Sequence, residues 1–270
     1  MYEAKDKVVL VTGAANGIGA CIVKEFLNEG AKHIAAVDID VNQGLQLEKE
    51  LNGNYGINKV KYYECDVTTN QLEVVYDTVI HEFGNIDVVI NCAGIMNDSP
   101  DAYIREINVN VTALIRSTLK AFHHMRKDYG GKGGSILNIS SLAATMNLPP
   151  MPIYSATKSA VLQFSTTLGM EPRYSSSGVR ILTICFGVTD TDMVRAPDAN
   201  GIDKETDALL LSVLKSFPVQ PKETAAAGLM KAFKNGSSAS TWMVTFGKPA
   251  KDISASVSKG FETMSQALFE

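Results

Sequence analysis

The sequence has little of what marks several large classes of protein. It holds only four cysteines, Cys21, Cys65, Cys92 and Cys185, which lie far apart and without the paired spacing that holds a metal ion. Buried free thiols in a reducing compartment explain them better than disulfides do. Positive charge is not in excess, since 25 lysines and arginines stand against 29 aspartates and glutamates. At a net charge of −4, no broad basic surface for nucleic acid is indicated.

Long apolar runs are also missing. The first residues, "MYEAKDKVVLVTG", place charge before a short apolar run, which predicts neither a secretory signal nor a membrane span. No later run reaches the roughly 18 apolar residues that a spanning helix needs. We therefore expect a cytoplasmic protein with no membrane partner. No linker, charge block or internal repeat divides the chain, so one domain over residues 1–270 is predicted.

What the sequence does have is a regular alternation of short apolar runs with helix-like stretches. Segments such as "GACIVKEFLNEG" carry apolar residues at helical spacing and end in glycine. Strands that are apolar on both faces and separated by helices are typical of a parallel sheet covered on each side. Right-handed crossovers then predict a doubly wound, Rossmann-type α/β domain of about seven parallel strands. The predicted strands are residues 7–12, 33–38, 60–65, 86–91, 134–140, 179–185 and 241–246. The less regular residues 190–221 are predicted to form a helical flap over a substrate.

A glycine-rich turn follows the first predicted strand. In "TGAANGIGACIVKEF", Gly13, Gly17 and Gly19 form a GxxxGxG pattern where the strand gives way to a helix. Glycine permits positive φ and close approach of a ligand, and the amides of a helix N-terminus favour a pyrophosphate. The placement of this pattern predicts a dinucleotide-binding turn. A tight turn without a ligand is the alternative.

Further candidate contacts follow the next three strands. Asp38 ends the second strand, where a carboxylate accepts hydrogen bonds from both adenosine ribose hydroxyls and repels a 2′-phosphate, which favours NAD over NADP. An acidic loop residue exposed to water is the alternative, and nearby Asp40 leaves the exact acceptor open. "CDVT" places Asp66 where an adenine amine could be met. "NCAG" places Ala93 and Gly94, which have no bulk, where the cofactor would cross.

Tyr154 and Lys158, in "PIYSATKSAV", lie four residues apart and would share one face of a helix. Taken alone, they fit an ordinary amphipathic helix. Beside a nicotinamide cofactor the pair could act in catalysis. Oxidising an alcohol needs a base that takes the hydroxyl proton while hydride leaves for the cofactor. A positive charge lowers the tyrosine pKa, ordinarily about 10, by about 1 to 3, and we expect Lys158 to supply it. "ILNISS" offers Ser140 and Ser141 at the strand edge where such sheets contact ligands.

These motifs together resemble the short-chain dehydrogenase/reductase family over about residues 5 to 247. The resemblance rests on TGxxxGxG, the acidic residue closing strand two, NxAG, and a serine thirteen residues before YxxxK. It implies that Tyr154 is the acid/base and that Ser141, rather than Ser140, orients the substrate oxygen. Lys158 would bind the nicotinamide ribose while lowering the pKa of Tyr154. The implied cofactor contacts are Gly13, Asn16, Gly17, Ile18, Gly19, Asp38, Asp66, Val67, Asn91, Ala93, Gly94, Tyr154, Lys158, Gly187, Val188 and Thr191.

The fourth catalytic residue of the family is an asparagine that holds a water in a proton relay. "INVNVTALIRST" offers Asn108 and Asn110, and only Asn110 has the small residue and the threonine that the family places after it. The chain departs from the family in "CFGVTDTD", where Phe186 replaces the usual proline. We expect that change to alter the loop that touches the nicotinamide.

Apolar residues near the predicted site, with few charges among them, favour a lipophilic substrate. They are Met96, Met146, Leu148, Met151, Phe186, Met193 and the leucines of the flap. Details such as "AKHIAAVDID" resemble the branch of insect alcohol dehydrogenases and NAD-dependent 15-hydroxyprostaglandin dehydrogenases. This implies a secondary or allylic alcohol and its ketone as substrates, and no metal. It also implies a homodimer or homotetramer built on helices within residues 100–128 and 152–175. The alternatives are a catalytically idle ligand-binding or storage protein and an NADPH-dependent carbonyl reductase.

Overall fold

A twisted sheet of eight strands forms the centre of the computed structural model, which describes residues 1–195 and 200–268. The strand order is β3-β2-β1-β4-β5-β6-β7-β8, with the first seven parallel and β8 antiparallel to β7. Each predicted strand has its counterpart, and the two-residue β8 is an addition too short to be read from a pattern. The strands are β1 (Val8–Thr12), β2 (His33–Asp38), β3 (Val60–Glu64), β4 (Val88–Asn91), β5 (Gly134–Ser141), β6 (Val179–Phe186), β7 (Thr241–Val244) and β8 (Lys251–Asp252).

Helices connect the strands and lie on both faces of the sheet. In chain order they are α1 (Gly17–Asn28), α2 (Val41–Tyr55), α3 (Gln71–Phe83), α4 (Tyr103–Ile107), α5 (Leu114–Met125), α6 (Pro152–Gly169), α7 (Arg173–Ser177), α8 (Asp192–Arg195), α9 (Lys204–Ser216), α10 (Lys222–Asn235) and α11 (Ser254–Gln266). A π-helical turn, Asn108–Ala113, joins α4 to α5, and a 3₁₀ turn, Leu142–Ala144, follows β5. Among the described residues, no helix is long and apolar enough to cross a bilayer.

The core lies on both sides of the sheet because alternate strand residues point to opposite faces. All five residues of β1 are buried. Val9 and Val11 pack in the cluster that includes residues of α1 and α10, whereas Val8 and Leu10 pack in the cluster that includes residues of α3 and α5. The predicted fold class, a doubly wound parallel sheet with helices on each face, is confirmed.

The order of the strands fixes where a ligand can enter. β1 has β2 on one side and β4 on the other, so the chain reverses its direction of winding between β1 and β4. At such a point the connections diverge and leave a crevice beyond the carboxyl ends of the strands. The predicted flap supplies α8 and α9 to this edge, apart from residues 196–199, which lie outside the described residues. Leu210 of α9 is buried in a third apolar cluster with Leu142, Leu148 and Met151.

Candidate active site

The β1–α1 turn forms one end of the crevice. Gly13 and Gly17 have φ of +66° and +55°, a conformation that favours glycine. A Cβ atom at Gly13 would lie 2.8 Å from Ala93 Cα, and one at Gly19 would collide with the carbonyl oxygen of Gly13. Asn16 caps α1 by accepting a hydrogen bond from the Gly17 amide at 2.6 Å. The turn therefore packs tightly against the segment after β4 and keeps the start of α1 at the crevice.

The two aspartates that the sequence could not separate have different partners. Asp38 Oδ2 accepts a hydrogen bond from the Ala15 amide at 2.9 Å, and the residue lines the cleft beside the glycine turn. Asp40 instead caps α2, accepting from the amide and the side chain of Gln43 at 3.0 and 2.9 Å. These two hydrogen bonds lower the pKa of Asp40. Of the two aspartates, Asp38 is thus the one that lines the cleft.

At the far end of the cleft, Asp66 forms an ion pair that the sequence did not reveal. Its Oδ1 accepts from the amide and the hydroxyl of Thr68 at 2.9 and 2.7 Å, and Arg105 Nη2 lies 3.3 Å from Oδ2. Burial acts to raise the pKa of Asp66, but these hydrogen bonds and Arg105 outweigh it and lower the pKa. Val67 and Arg105 line the same cleft. Only the crossing of α4 over the β3–α3 loop brings Arg105 here, so no local pattern could have indicated it.

Asn91 is the predicted cofactor contact whose side chain the structure does not bring to the cleft. It is 2% exposed, and its amide group donates to Asn138 Oδ1 at 2.8 Å and Thr118 Oγ1 at 3.1 Å. Its Oδ1 accepts from Ser117 Oγ at 2.5 Å. This network ties β4 to β5 and α5, so a contact between Asn91 and a dinucleotide would have to come from the backbone.

Tyr154, Ser141 and Lys158 meet where β5 ends beside α6. The Ser141 hydroxyl lies close enough to Tyr154 to lower the pKa of its phenol, and Lys158 Nζ lies 5.6 Å from the centre of the Tyr154 ring. Lys158 is 4% exposed and donates to the Ile139 carbonyl at 3.2 Å. Ser140 donates to the Lys158 carbonyl at 2.8 Å. Both serines line the cleft beside Tyr154, but the Ser140 hydroxyl is taken up by the Lys158 carbonyl, and Ser141 is the serine that acts on the Tyr154 phenol.

Asn110 lies in the π-helical turn, a feature often found at functional sites. It is fully buried, and its side chain accepts from the Ile95 amide at 2.9 Å and donates to the Ile95 carbonyl at 2.8 Å. It also donates to Thr157 Oγ1 at 3.1 Å, which links it to α6 between Tyr154 and Lys158. Asn108 is exposed. The predicted choice of Asn110 over Asn108 agrees with this placement.

In the polypeptide alone, burial has the largest influence on the pKa values of Tyr154 and Lys158. It raises the pKa of Tyr154 to about 12, and the hydrogen bond from Ser141 opposes this only in part. Burial also lowers the pKa of Lys158 to about 8. Instead of the expected lowering, the pKa of Tyr154 in the polypeptide alone therefore lies above its ordinary value, because burial disfavours the ionised phenol.

Two clefts meet at these residues. One, of about 320 Å³, extends from the glycine turn past Asp38 and Asp66 to Gly94. The other, of about 130 Å³, includes Ser141 and Tyr154. They are continuous, since both are lined by Ile18, Cys92, Gly94, Thr191 and Met193.

The smaller cleft is apolar, and the sequence predicted most of its lining. Met96, Leu148, Met151, Phe186 and Met193 line it, together with Gly187, Val188 and, from the flap, Val213, Leu214 and Phe217. Met146 was predicted wrongly. Its side chain is 41% exposed and lines a separate groove against α11, because the turn after β5 carries it away from the crevice.

Phe186, which stands where the family has proline, is the last residue of β6 and pairs with Ser141 and Val244. All four cysteines are free thiols, with Cys65 and Cys185 buried.

The sheet and its crevice define a doubly wound α/β protein with a ligand site at the switch in strand order. Comparison with known proteins gives the family. The chain matches the family model for short chain dehydrogenases over residues 7–200. It is 32% identical over 238 residues to the mouse (Mus musculus) 15-hydroxyprostaglandin dehydrogenase (NAD(+)). The matched region covers 85% of this chain and 86% of the mouse protein. The chain belongs to the short-chain dehydrogenase family, a family of oxidoreductases.

Other relatives lie at similar distance. An alcohol dehydrogenase 1 of Ceratitis cosyra is 33% identical over 189 residues, 69% of this chain and 72% of that protein. A 3-ketoacyl-(acyl-carrier-protein) reductase from Brucella melitensis, solved in complex with NADH, superposes with a TM-score of 0.75 and covers 91% of this chain and 99% of that one. At 22% identity this last similarity supports the fold alone.

Proposed function

We propose that the protein is an NAD-dependent dehydrogenase that transfers a hydride between a lipophilic secondary or allylic alcohol and NAD. One observation carries the proposal: Tyr154 and Ser141 line the apolar cleft, and this cleft is continuous with the one that begins at the glycine turn. Two relatives support the same class of reaction, the oxidation of an alcohol. The mouse protein is named as a dehydrogenase with NAD(+), and the Ceratitis cosyra protein is named as an alcohol dehydrogenase.

The larger cleft fits a dinucleotide. Glycines occupy the positions at which a Cβ atom would fill the cleft or close the turn. The cleft begins at the N-terminus of α1, and a helix N-terminus favours a pyrophosphate. Asp38 would take the adenosine ribose, and its charge disfavours a 2′-phosphate. Asp66 and Val67 would meet the adenine, and Ala93, Gly94 and Thr191 would border the path to the nicotinamide. When bound, NAD would accept the hydride, and its cationic ring would favour the ionised phenol.

Within this scheme each catalytic side chain has a separate task. The ionised oxygen of Tyr154 takes the proton of the alcohol and becomes the hydroxyl, and Ser141 holds the alcohol oxygen by a hydrogen bond. Lys158, anchored by the Ile139 carbonyl, presents its ammonium group between Tyr154 and the cofactor cleft. Asn110 fixes the segment after β4 through the backbone amide and carbonyl of Ile95, and its task in this scheme is to hold a water in the proton relay.

The lining of the smaller cleft supports an uncharged, lipophilic substrate. Of the described residues that line it, Lys158 is the only lysine, arginine, histidine, aspartate or glutamate, and apolar side chains supply most of the rest. Burying a substrate carboxylate or sugar hydroxyls against such a surface is costly without matching polar partners. We further propose a single domain and a homodimer or homotetramer in which α5 and α6 supply the contact between subunits.

The test is a panel of secondary, allylic and long-chain alcohols with NAD, read at the absorbance of the reduced cofactor. We expect turnover by the wild-type protein and loss of it in Tyr154→Phe, while the affinity for NAD stays within about threefold, because the phenol acts on the proton rather than in binding. Substantial turnover by Tyr154→Phe would refute the role of Tyr154. Tight NAD binding with no turnover of any alcohol would instead favour an idle, ligand-binding protein.

A further inference from the structure

Behind the reacting end, the structure buries two carboxyl groups against each other. Glu106 of α4 is fully buried and Asp98, in the segment after β4, is 2% exposed. Their side chains are within hydrogen-bonding reach of each other. Two carboxylates in one buried site cannot both be ionised without strong repulsion, so this contact requires a proton.

Asp98 is the member of the pair that carries the negative charge. Its Oδ2 accepts a hydrogen bond from the Ile153 amide at 2.7 Å, and its Oδ1 accepts from the Tyr154 amide at 3.0 Å. These amides belong to the first turn of α6, whose N-cap residue, Met151, has an apolar side chain. An anion is favoured at a helix N-terminus and accepts charge-assisted hydrogen bonds there. Asp98 therefore performs the capping that Met151 does not.

Glu106 is the member that carries the proton. Its Oε1 accepts from the Asn110 side-chain amide at 3.4 Å, one helical turn further on. Its Oε2 is buried and has no donor partner among the described residues. A proton on Oε2 donated to Asp98 would satisfy both groups, since a protonated carboxyl is a donor and a carboxylate an acceptor.

The charges around Glu106 agree with this assignment. The ionisable groups that face it are Asp98 from the segment after β4, and Tyr154 and Lys158 from α6. Burial, followed by the charge of Asp98, raises the pKa of Glu106 to about 8, and Lys158 acts in the opposite direction. Glu106 is consequently neutral at pH 7 and loses its proton in the mildly alkaline range.

We propose that Glu106 is a positioning residue, which as a neutral acid donates its proton to Asp98 and so joins α4 to the start of α6. The single shared proton holds two reacting groups in place. Glu106 supports Asn110 directly, and Asp98 holds the backbone amide of Tyr154. Above about pH 8 the two carboxylates repel each other, and both the first turn of α6 and the π-helical turn loosen. The effect on turnover rests on the proposed function, whereas the buried proton and its effect on these two segments do not.

Glu106→Gln and Glu106→Leu separate the proposal from simple packing. Glutamine keeps an amide donor toward Asp98 and an oxygen toward Asn110 at every pH, whereas leucine removes both. Asp101→Asn is the matched control, because Asp101 is an exposed carboxylate between the two in sequence. We expect amide hydrogen exchange at residues 108–113 and 152–156 to quicken in Glu106→Leu at pH 7 and in the wild type above about pH 8. Glu106→Gln should show neither change, after correction for the intrinsic pH dependence of exchange.

Infrared spectroscopy reads the proton itself. A carboxylic acid has a carbonyl stretch that an ionised carboxylate lacks, so wild type minus Glu106→Gln should show this band at pH 7 and lose it through about pH 8. The band should persist in Asp101→Asn. Absence of the band at pH 7, or a wild-type exchange rate at α6 in Glu106→Leu, would overturn the proposal whether or not an alcohol is ever oxidised.

The pH profile of turnover supplies the catalytic readout once an alcohol substrate is found. We expect kcat of Glu106→Leu to fall about tenfold or more at pH 7 with NAD affinity retained, and Glu106→Gln to stay within about threefold. The alkaline decline of the wild type should be smaller in Glu106→Gln, in which only the loss of the Lys158 proton remains. An unchanged alkaline limb in that variant would contradict the positioning role. Failure of the wild type to oxidise any alcohol would count against the proposed function and leave the exchange and infrared results to decide on Glu106.

Discussion

Asn110 and Lys158 come together at one small space, the one that the missing side chain of Gly94 leaves open. A Cβ atom at position 94 would lie 3.3 Å from Asn110 Oδ1 and 3.4 Å from Lys158 Nζ. Gly94 lines both clefts, so this space belongs to the path that joins them. The side-chain amide of Asn110 and the buried ammonium group of Lys158 therefore leave little room for a side chain at position 94.

Gly94→Ala should therefore damage the site more than the fold. The added methyl group presses on both polar groups and narrows the path of the cofactor, so we expect NAD affinity and kcat/KM each to fall about tenfold. The melting temperature should drop by only a few degrees, consistent with a cost of about 1 kcal/mol. Gly53→Ala is the control, because a Cβ atom there meets nothing within 4 Å. Equal effects of both variants on NAD affinity would contradict this interpretation.

Asp38 should decide the choice between NAD and NADP. Asp38→Asn removes the charge that repels a 2′-phosphate, so the ratio of NAD to NADP affinity should fall by about tenfold or more. The amide side chain still accepts a hydrogen bond from Ala15, which limits damage to the turn. Titration with each oxidised cofactor measures the ratio.

The control for this experiment is Asp40→Asn. Asp40 caps α2 and has its hydrogen bonds with Gln43, so its replacement should cost some stability, about 0.5 to 1 kcal/mol, without changing the cofactor ratio. If the Asp40 variant shifted the ratio as much as the Asp38 variant, the assignment of Asp38 to the ribose would be wrong.

Neighbouring serines on β5 offer a sharp comparison. Ser141→Ala removes the hydroxyl beside Tyr154 and should lower kcat by about 100-fold or more, because one hydrogen bond to the reacting oxygen is lost. Ser140→Ala removes a bond to the Lys158 carbonyl and should instead lower the free energy of unfolding by about 1 kcal/mol, with kcat within about threefold. Steady-state kinetics and urea denaturation of both variants distinguish these outcomes. The reverse order of kinetic damage would mean that the strand register has been misassigned.

Much of the fold and part of the site could be predicted because they depend on local pattern. Apolar runs on both faces of a strand indicate a covered parallel sheet wherever they occur, and seven of the eight strands were found in this way. The glycines at positions 13 and 17 were readable because a strand-to-helix turn with positive φ has few other solutions. The choice of Ser141 and Asn110 came from resemblance to the family and stays a prediction.

What escaped prediction depends on segments far apart in the chain. Arg105 reaches Asp66, and Glu106 meets Asp98, only because α4 crosses the mouth of the crevice, and no periodicity records that crossing. Met146 was assigned to the cleft together with the other apolar residues near the predicted site, although the turn after β5 carries its side chain into a separate groove. The influence of Lys158 on Tyr154 was misjudged for the polypeptide alone, since a sequence gives separation along a helix but not the loss of solvent around both groups.

Lys158 should reduce the free energy of unfolding, although the proposed site depends on its ammonium group. Burial lowers its pKa to about 8 from 10.5, so at pH 7 the folded state holds a charge that the unfolded state solvates better. Lys158→Met keeps the length and removes the charge. We expect it to lose turnover and to raise the free energy of unfolding at pH 7 by about 1 to 3 kcal/mol.

The gain in stability of Lys158→Met depends on pH because the pKa of Lys158 is lowered in the folded protein. Between pH 8 and 10.5 the unfolded wild-type protein binds a proton at Lys158 that the folded protein has released, so wild-type stability rises with pH over this range. The advantage of Lys158→Met should therefore be full below pH 8 and vanish by about pH 10.5. Urea denaturation at pH 7 and pH 9.5 measures it, with exposed Lys49→Met as the control. A variant less stable than the wild type at pH 7, or an advantage that does not shrink with pH, would show that the ammonium group is better compensated than its burial implies.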